Sequence, residues 1–577
     1  MKHGEPAECG GRDVASGREN FEIQVLRQGR WVTESARGSE TDAKALADKF
    51  LSDKSCAGAR VVRNWLNRDG SMNESVVFEK TQTPKGEAQV RINPIDSAPP
   101  HCVEPRDYFG LESRMTMNRI FRTYFEQVLL TPTELLHSAK ELRRIQDKDS
   151  LVPSAVDAVA QLQVKGGEQT PKERRDEMFA AIDQISAQAR RADRVKAGKV
   201  EGRLSDTMRE VRGQGGEAPE YLAMVVLVRE LVGMRSFAAK LDRLCRLAVE
   251  EVEMQAGLLL DAVIADLMGT NVLQEILGFQ PSLGSAIVAM LDLADGNFDP
   301  AKSDSPEICE MLVRLFGRHR LPGSRHVMID RAMRQLKSTS PLSRNDPGKE
   351  MEEYQKVLVR LLSPQGLLAG PDAAEALTVR GARFVEQGGA TGRRAAITNT
   401  VQALPDKATG VMYLSELTKT GFGDEHLDDI IRQLDFVFST RVIGELTRRT
   451  SSPKERLMTA TGAFNAAVSS ALPEEIKSRV AHHIDGVLER FLVDESVIEK
   501  LDHPADHIRD RAVRLVKFAG AGVLPEGKAL ARARERIVKL LRQPNFDARF
   551  VEGIPDPEKQ QKALRDFHKL LVQAGFG

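Results

Sequence analysis

Between Phe21 and Lys80 the chain alternates apolar and polar positions with the two-residue period of a half-buried strand. Phe21, Ile23 and Val25 share one face, and Gln28-Gly29 supplies a turn into Trp31-Val32-Thr33. The period then lengthens: from Thr41, Ala43, Leu46, Ala47, Phe50 and Leu51 recur at helical spacing. Two further strands, one carrying Val61, Val62 and Trp65 and the other Val76, Val77 and Phe78, flank the turn signal Asn67-Arg68-Asp69-Gly70. The pattern predicts a small α+β module of ββαββ order over residues 20–80, preceded by a disordered tail over 1–19. Sixty residues bury little core, so such a module is expected to dock on the remainder of the chain.

Pro84, Pro94, Pro99, Pro100 and Pro105 interrupt a polar stretch over 81–107, which predicts a semi-extended linker. From Tyr108 the helical period dominates, with Phe237, Leu241, Leu244, Ala248 and Val252 forming one stripe and Leu564, Phe567 and Leu571 another. The fold class expected is therefore mostly α: the N-terminal module and then a multi-helix body, divided into helical domains over 108–290 and 291–577. Helix starts are written repeatedly as a capping residue, proline and a carboxylate, at Thr131, Thr170, Ser305, Ser452 and Asp556. Glu134, Glu173 and Glu455 fall three residues after their Thr or Ser, which predicts three capping boxes.

The apolar signature Leu-Val-Arg-Leu at Leu312 returns at Leu358, and Ile537-Val538-Lys539-Leu540 repeats its character. Near the end, the segment from Asp502 to Val513 resembles the second half of a HEAT-type repeat in its proline, arginine and Ala-Val placement. Over that unit the resemblance implies a helix pair of the kind that stacks into a solenoid. Elsewhere no strict period holds, so an irregular HEAT-like solenoid and tandem helical bundles are both compatible with the pattern.

Charge adds one constraint. With 83 basic and 83 acidic side chains among 577 residues, the chain has no global attraction to nucleic acid or an anionic membrane. No segment approaches the roughly 18 unbroken apolar residues of a membrane span, and the amino end lacks the apolar core of a signal peptide. Five scattered cysteines without C-x-x-C spacing suit reduced thiols and a cytoplasmic location.

Candidate chemistry is local. Arg314, Arg318, Arg320, Arg325, Arg331 and Arg334, with Lys337, face only Asp330 in the same stretch, whereas Asp292, Asp295, Asp299, Asp304, Glu307 and Glu310 precede them. These runs either neutralise each other or offer an arginine surface to carboxylate or phosphate. His503, Asp506 and His507 carry the i, i+4 histidine spacing that could reach one metal ion from a helix. Against that, Pro504 places His503 at a helix start, and no glutamate occupies the general-base position of H-E-x-x-H.

Asp295-Gly296-Asn297-Phe298-Asp299 opens like a calcium loop, but prolines 300 and 306 stand where glycine and the bidentate glutamate are required. The Gly388–Arg394 stretch lacks the lysine and hydroxyl of a P-loop. The expected function is a non-enzymatic protein-protein interaction scaffold or signalling adaptor needing no cofactor, with a protein rather than nucleic acid or membrane as partner. The alternatives are a metal-dependent hydrolase using His503, Asp506 and His507, and a nucleic-acid- or anion-binding protein using the 314–337 segment.

Overall fold

The structure is a computed structural model that describes residues 20–27, 30–52, 56–66, 72–82, 91–97, 99, 101–148, 150–214, 216–385 and 389–576. The tail over 1–19, the turns at Gln28-Gly29 and Asn67–Gly70, residues 83–90 of the linker, and Gly388 lie outside the described residues.

The alternating segment forms β1 (Asn20–Arg27), β2 (Arg30–Arg37), α1 (Glu40–Ser52), β3 (Gly58–Leu66) and β4 (Met72–Thr81), the predicted ββαββ order. The sheet is antiparallel in the order β2-β1-β3-β4, with Val25 opposite Val32 and Ile23 opposite Val61. One face buries Ile23, Val25 and Val61 under Ala43, Ala47 and Leu51 of α1. Trp31 lies under the guanidinium of Arg60 at 4.5 Å, and that Arg60 donates to the buried Gln24 at 2.8 Å. The β2 edge is partly occupied, because the Thr33 N–H donates to the Arg235 carbonyl at 3.3 Å. Arg235 in turn reaches Glu74 of β4 at 2.8 Å, so the module is held at one residue by both backbone and charge.

Beyond the sheet the chain is helical: twenty-nine α-helices, α1 included, lie among the described residues, giving the mostly α architecture with a small α+β start. They gather into two compact units, the first taking the chain to Phe279 together with Asp292–Met328, the second Gln280–Leu291 together with Ile329–Gly577. The predicted caps form at four of five sites. Thr131, Thr170 and Ser452 make full capping boxes with Glu134, Glu173 and Glu455, and the Asp556 side chain accepts from the Glu558 N–H. Ser305 departs from the pattern: its hydroxyl donates to Glu275 at 3.2 Å and leaves the helix start without a side-chain cap.

In the first unit a core forms around Tyr124, Phe125, Leu130 and Ile145, and Ile92 and Ile95 of the proline-rich stretch pack against it. Threaded through it are buried charges. Arg114 donates to Thr133 Oγ1 at 2.8 Å and Asp266 Oδ1 at 2.6 Å, while Asp266 Oδ2 accepts the Thr133 N–H at 2.7 Å. Beside them the His137 ring meets Phe109 edge to face and lies tilted against Tyr221, and its Nδ1 lies 2.8 Å from the Thr133 carbonyl. The carbonyl can only accept, so Nδ1 carries a hydrogen.

Burial lowers the His137 pKa from 6.5 to about 4. The unfolded chain therefore binds the extra proton first, so this residue's contribution is complete above pH 6.5 and is lost as pH falls toward 4. About 3 kcal/mol should disappear across that window. Urea midpoints at pH 7 and pH 5 check it, since a His137→Phe variant should show a shallower acid loss than the parent.

The second unit is built by successive packing: Lys407–Leu417 on Pro453–Val468, that helix on Glu474–Asp494, and that one on Lys528–Leu541. Gly462 permits one close approach, because a Cβ there would strike the Pro364 carbonyl and lie 2.6 Å from the Met412 methyl. Arg380, 1% exposed, donates to the carbonyls of Leu336, Ser340, Gln335 and Ser338 at the end of the helix Pro322–Lys337.

Candidate interaction surfaces

The arginine series divides between the units. Arg314, Arg318, Arg320 and Arg325 belong to the first, Arg331 and Arg334 to the second. Arg320 is structural, since its Nη2 donates to the Glu251 carbonyl at 2.7 Å, just past the end of the helix Phe237–Glu250. Arg325 holds Asp295 at 2.8 Å, so acidic and basic runs meet here. Arg334 pairs with Asp330 on its own helix, and Lys337 with Glu375 at 2.6 Å. Arg331 is partly buried.

Arg314 and Arg318 remain as exposed cations with no acidic side chain within ion-pair distance among the described residues. They stand at the last turn of the helix Pro306–Gly317 and just beyond it, where positive charge suits the dipole. Replacing both by glutamine should shift stability by less than about 0.5 kcal/mol, whereas Arg320→Met should cost about 1–3 kcal/mol, readable as denaturant midpoints.

His503, Asp506 and His507 sit together before a helix rather than along one. The helix Ile508–Gly520 begins after all three, so the two histidines do not share a helix face. His507 is the N-cap, its Nδ1 accepting from the Arg509 N–H at 3.2 Å, and Asp506 is paired with Arg514. Among the described residues no group of three or more His, Cys, Asp or Glu side chains is arranged to hold a metal ion. The Gly389–Ala403 segment is a helix, with Arg393 and Arg394 paired to Glu425 and Asp429. Cys56, Cys102, Cys245 and Cys309 are all buried, and no described helix is long and apolar enough to cross a membrane.

A surface marked by neither the charge runs nor the histidine spacing lies at the start of the helix Met254–Met268. Its position is fixed by Glu251, 1% exposed, whose carboxylate accepts from Ser205 N and Oγ at 3.0 and 2.9 Å and from the Val252 and Glu253 N–H groups at 2.9 Å. Burial acts to raise the Glu251 pKa, but the four donors together outweigh it and lower the pKa, and they set the entry of the helix. Ala256, Leu260, Val263, Ile264 and Leu267 turn inward.

Met254 and Leu258, one turn apart, point outward at 81% and 49% exposure, with Val252 beside them at 67%. The rim is polar: Arg209 reaches Glu253 at 3.5 Å, and Gln255 donates to Glu220 at 2.8 Å. The sequence signal was the run Leu258-Leu259-Leu260 itself, because three consecutive apolar residues on a helix cannot all face one side. Compared with known protein families, curated proteins and solved structures, the chain matches none.

Proposed function

We propose that this chain is a non-enzymatic protein-protein interaction scaffold of the signalling-adaptor kind, working in the cytoplasm, and that its helical body carries the docking surface. The observation that carries the reading is the outward pair Met254 and Leu258 with Val252: large apolar side chains held in water at helical spacing inside a polar rim. Such an arrangement matches the apolar centre and polar margin of a protein interface.

The occupant that fits is a partner helix presenting apolar residues at i and i+4 and acidic residues at its flank. The acidic flank is inferred from exposed Arg318, two residues from Arg320, whose own guanidinium is engaged by the carbonyl at the base of this surface. Nucleic acid is the less favoured partner, because three of the six arginines in the 314–337 segment, Arg320, Arg325 and Arg334, are taken by protein acceptors. Buried cysteines suit a reducing compartment.

Affinity retrieval from native lysate with Met254→Asp/Leu258→Asp tests the reading. The affinity for the partner retrieved by the parent protein should fall by a factor of at least about 30, the scale of losing one hot-spot side chain. Retrieval unchanged in that variant, with helicity intact, would remove the surface from the account.

A further inference from the structure

Under Cys102 and Tyr108 the first unit holds a space of about 120 Å³. Ile120, Leu142, Val156, Met178 and Ile185 are buried in its wall. Its outer side is marked by the partly exposed Val152 and Ile182 and by Gln146, the one exposed residue of the lining. For scale, an apolar cavity of about 150 Å³ stays dry and takes up benzene.

The polar side chains that border this space are all engaged elsewhere. Ser113 Oγ donates to the Asp107 carbonyl at 3.1 Å and lies 3.1 Å from Cys102 Sγ. Thr116 Oγ1 accepts from Arg119 Nη2 at 3.0 Å, and Gln146 Nε2 donates to Ser186 Oγ at 3.3 Å. Gln163 is used at both ends: its Nε2 donates to the Pro99 carbonyl at 3.2 Å and its Oε1 accepts from Arg174 Nε at 2.8 Å. Arg174 Nη1 donates to Glu177 Oε2 at 2.9 Å, and the Tyr108 hydroxyl is bound to the same guanidinium. Almost no polar atom is left facing the space.

We infer that this space is a binding site for a hydrocarbon guest of about six carbons, taken up whole or as the end of a longer molecule, with no hydrogen-bonding atom inside the wall. A hydroxyl, carbonyl or carboxylate placed there would give up its bonds to water and find no donor or acceptor free to replace them. Water itself is a poor occupant, since a buried water needs roughly two to four polar partners. A hydrocarbon loses no hydrogen bond on entry, and it supplies the dispersion contacts that the lining side chains lack across an unfilled space. The polar part of a longer molecule would stay outside, on the Gln146 side, in water.

Calorimetric titration of the full-length protein with benzene, phenol and hexyl glucoside tests this. Benzene should saturate with a Kd on the order of 0.1–1 mM, and phenol, of nearly the same size, should bind at least about tenfold more weakly because its hydroxyl finds no partner. If hexyl glucoside also saturates, with its terminal methyl against Val156, the guest is the end of a longer molecule; benzene binding without it identifies a free hydrocarbon. Ala155→Leu, which enlarges a side chain of the lining, should abolish benzene binding without lowering the denaturation midpoint, whereas a close-packed wall would be destabilised. Nuclear Overhauser contacts from bound benzene to the Val156 and Ile185 methyls of the parent protein locate the site even where that variant fails to fold. No saturable benzene binding, phenol binding as tightly as benzene, benzene binding undiminished in Ala155→Leu, or contacts only to methyls elsewhere would each overturn the inference.

Discussion

Lys240→Met is expected to lower stability by about 3–5 kcal/mol, because it leaves a carboxylate buried without its counter-ion. Lys240 Nζ lies 2.5 Å from both Glu134 Oε1 and the Leu129 carbonyl, and neither charged side chain is more than 1% exposed. Glu134 has a second task, since its Oε2 accepts the Thr131 N–H at 2.8 Å and closes the capping box. Leu129 ends the preceding helix in the left-handed region at φ 52°, and the lysine satisfies its carbonyl there. One ammonium therefore joins a helix end to a helix start.

Glu134→Gln in the Lys240→Met background should recover part of the loss, since glutamine can still close the box and no charge stays buried. A double-mutant cycle read from urea midpoints should give a coupling of about 2 kcal/mol or more, and additive losses would show that the two side chains act independently.

Arg380→Met should cost the second unit a comparable amount. The carbonyls of Leu336, Ser338 and Ser340 lose this donor at once, while that of Gln335 keeps the Ser338 N–H and hydroxyl, and a buried acceptor left unpaired costs about 1–3 kcal/mol before relaxation. We expect a net loss of about 3–5 kcal/mol. Burial already lowers the Arg380 pKa from its ordinary value, with Arg383 adding to the effect, and the nearest acid, Glu350 at 3.7 Å, is only partial compensation. Arg380→Lys should rescue little, because a single ammonium cannot span four acceptors that a planar fork reaches. Denaturant midpoints give the energies, and faster amide exchange confined at first to the end of the helix Pro322–Lys337 would locate the damage.

How far the fold is legible in the residues depends on the range of each signal. Local signals carry well: the alternation of Phe21, Ile23 and Val25, the turn to helical period at Ala43, and the boxes at Thr131, Thr170 and Ser452 each depend on residues a few positions apart. Ser305 fails because Glu275, thirty positions away, competes for its hydroxyl. The same distance hides the buried ion pairs. Arg114 and Asp266 are 152 residues apart and Lys240 and Glu134 are 106 apart, and nothing in either neighbourhood marks them as partners.

The arginines between 314 and 334 are legible as a charge run but not as individuals. Asp295 and the Glu251 carbonyl claim Arg325 and Arg320 only once the helices pack, whereas Arg334 meets Asp330 one turn back on its own helix. Met254 and Leu258 illustrate the converse. Apolar residues in a greasy helix read as core, and only packing shows which side of that helix faces water.

Placing p-benzoylphenylalanine at position 254 and photo-cross-linking in native lysate, with mass spectrometry as the readout, tests the scaffold reading most directly. Reproducible links from that position to one partner protein are expected, on an apolar segment flanked by acidic residues, and they should vanish when Leu258→Asp is added. Links only within the chain, or links to many proteins that persist in the Leu258→Asp variant, would contradict it.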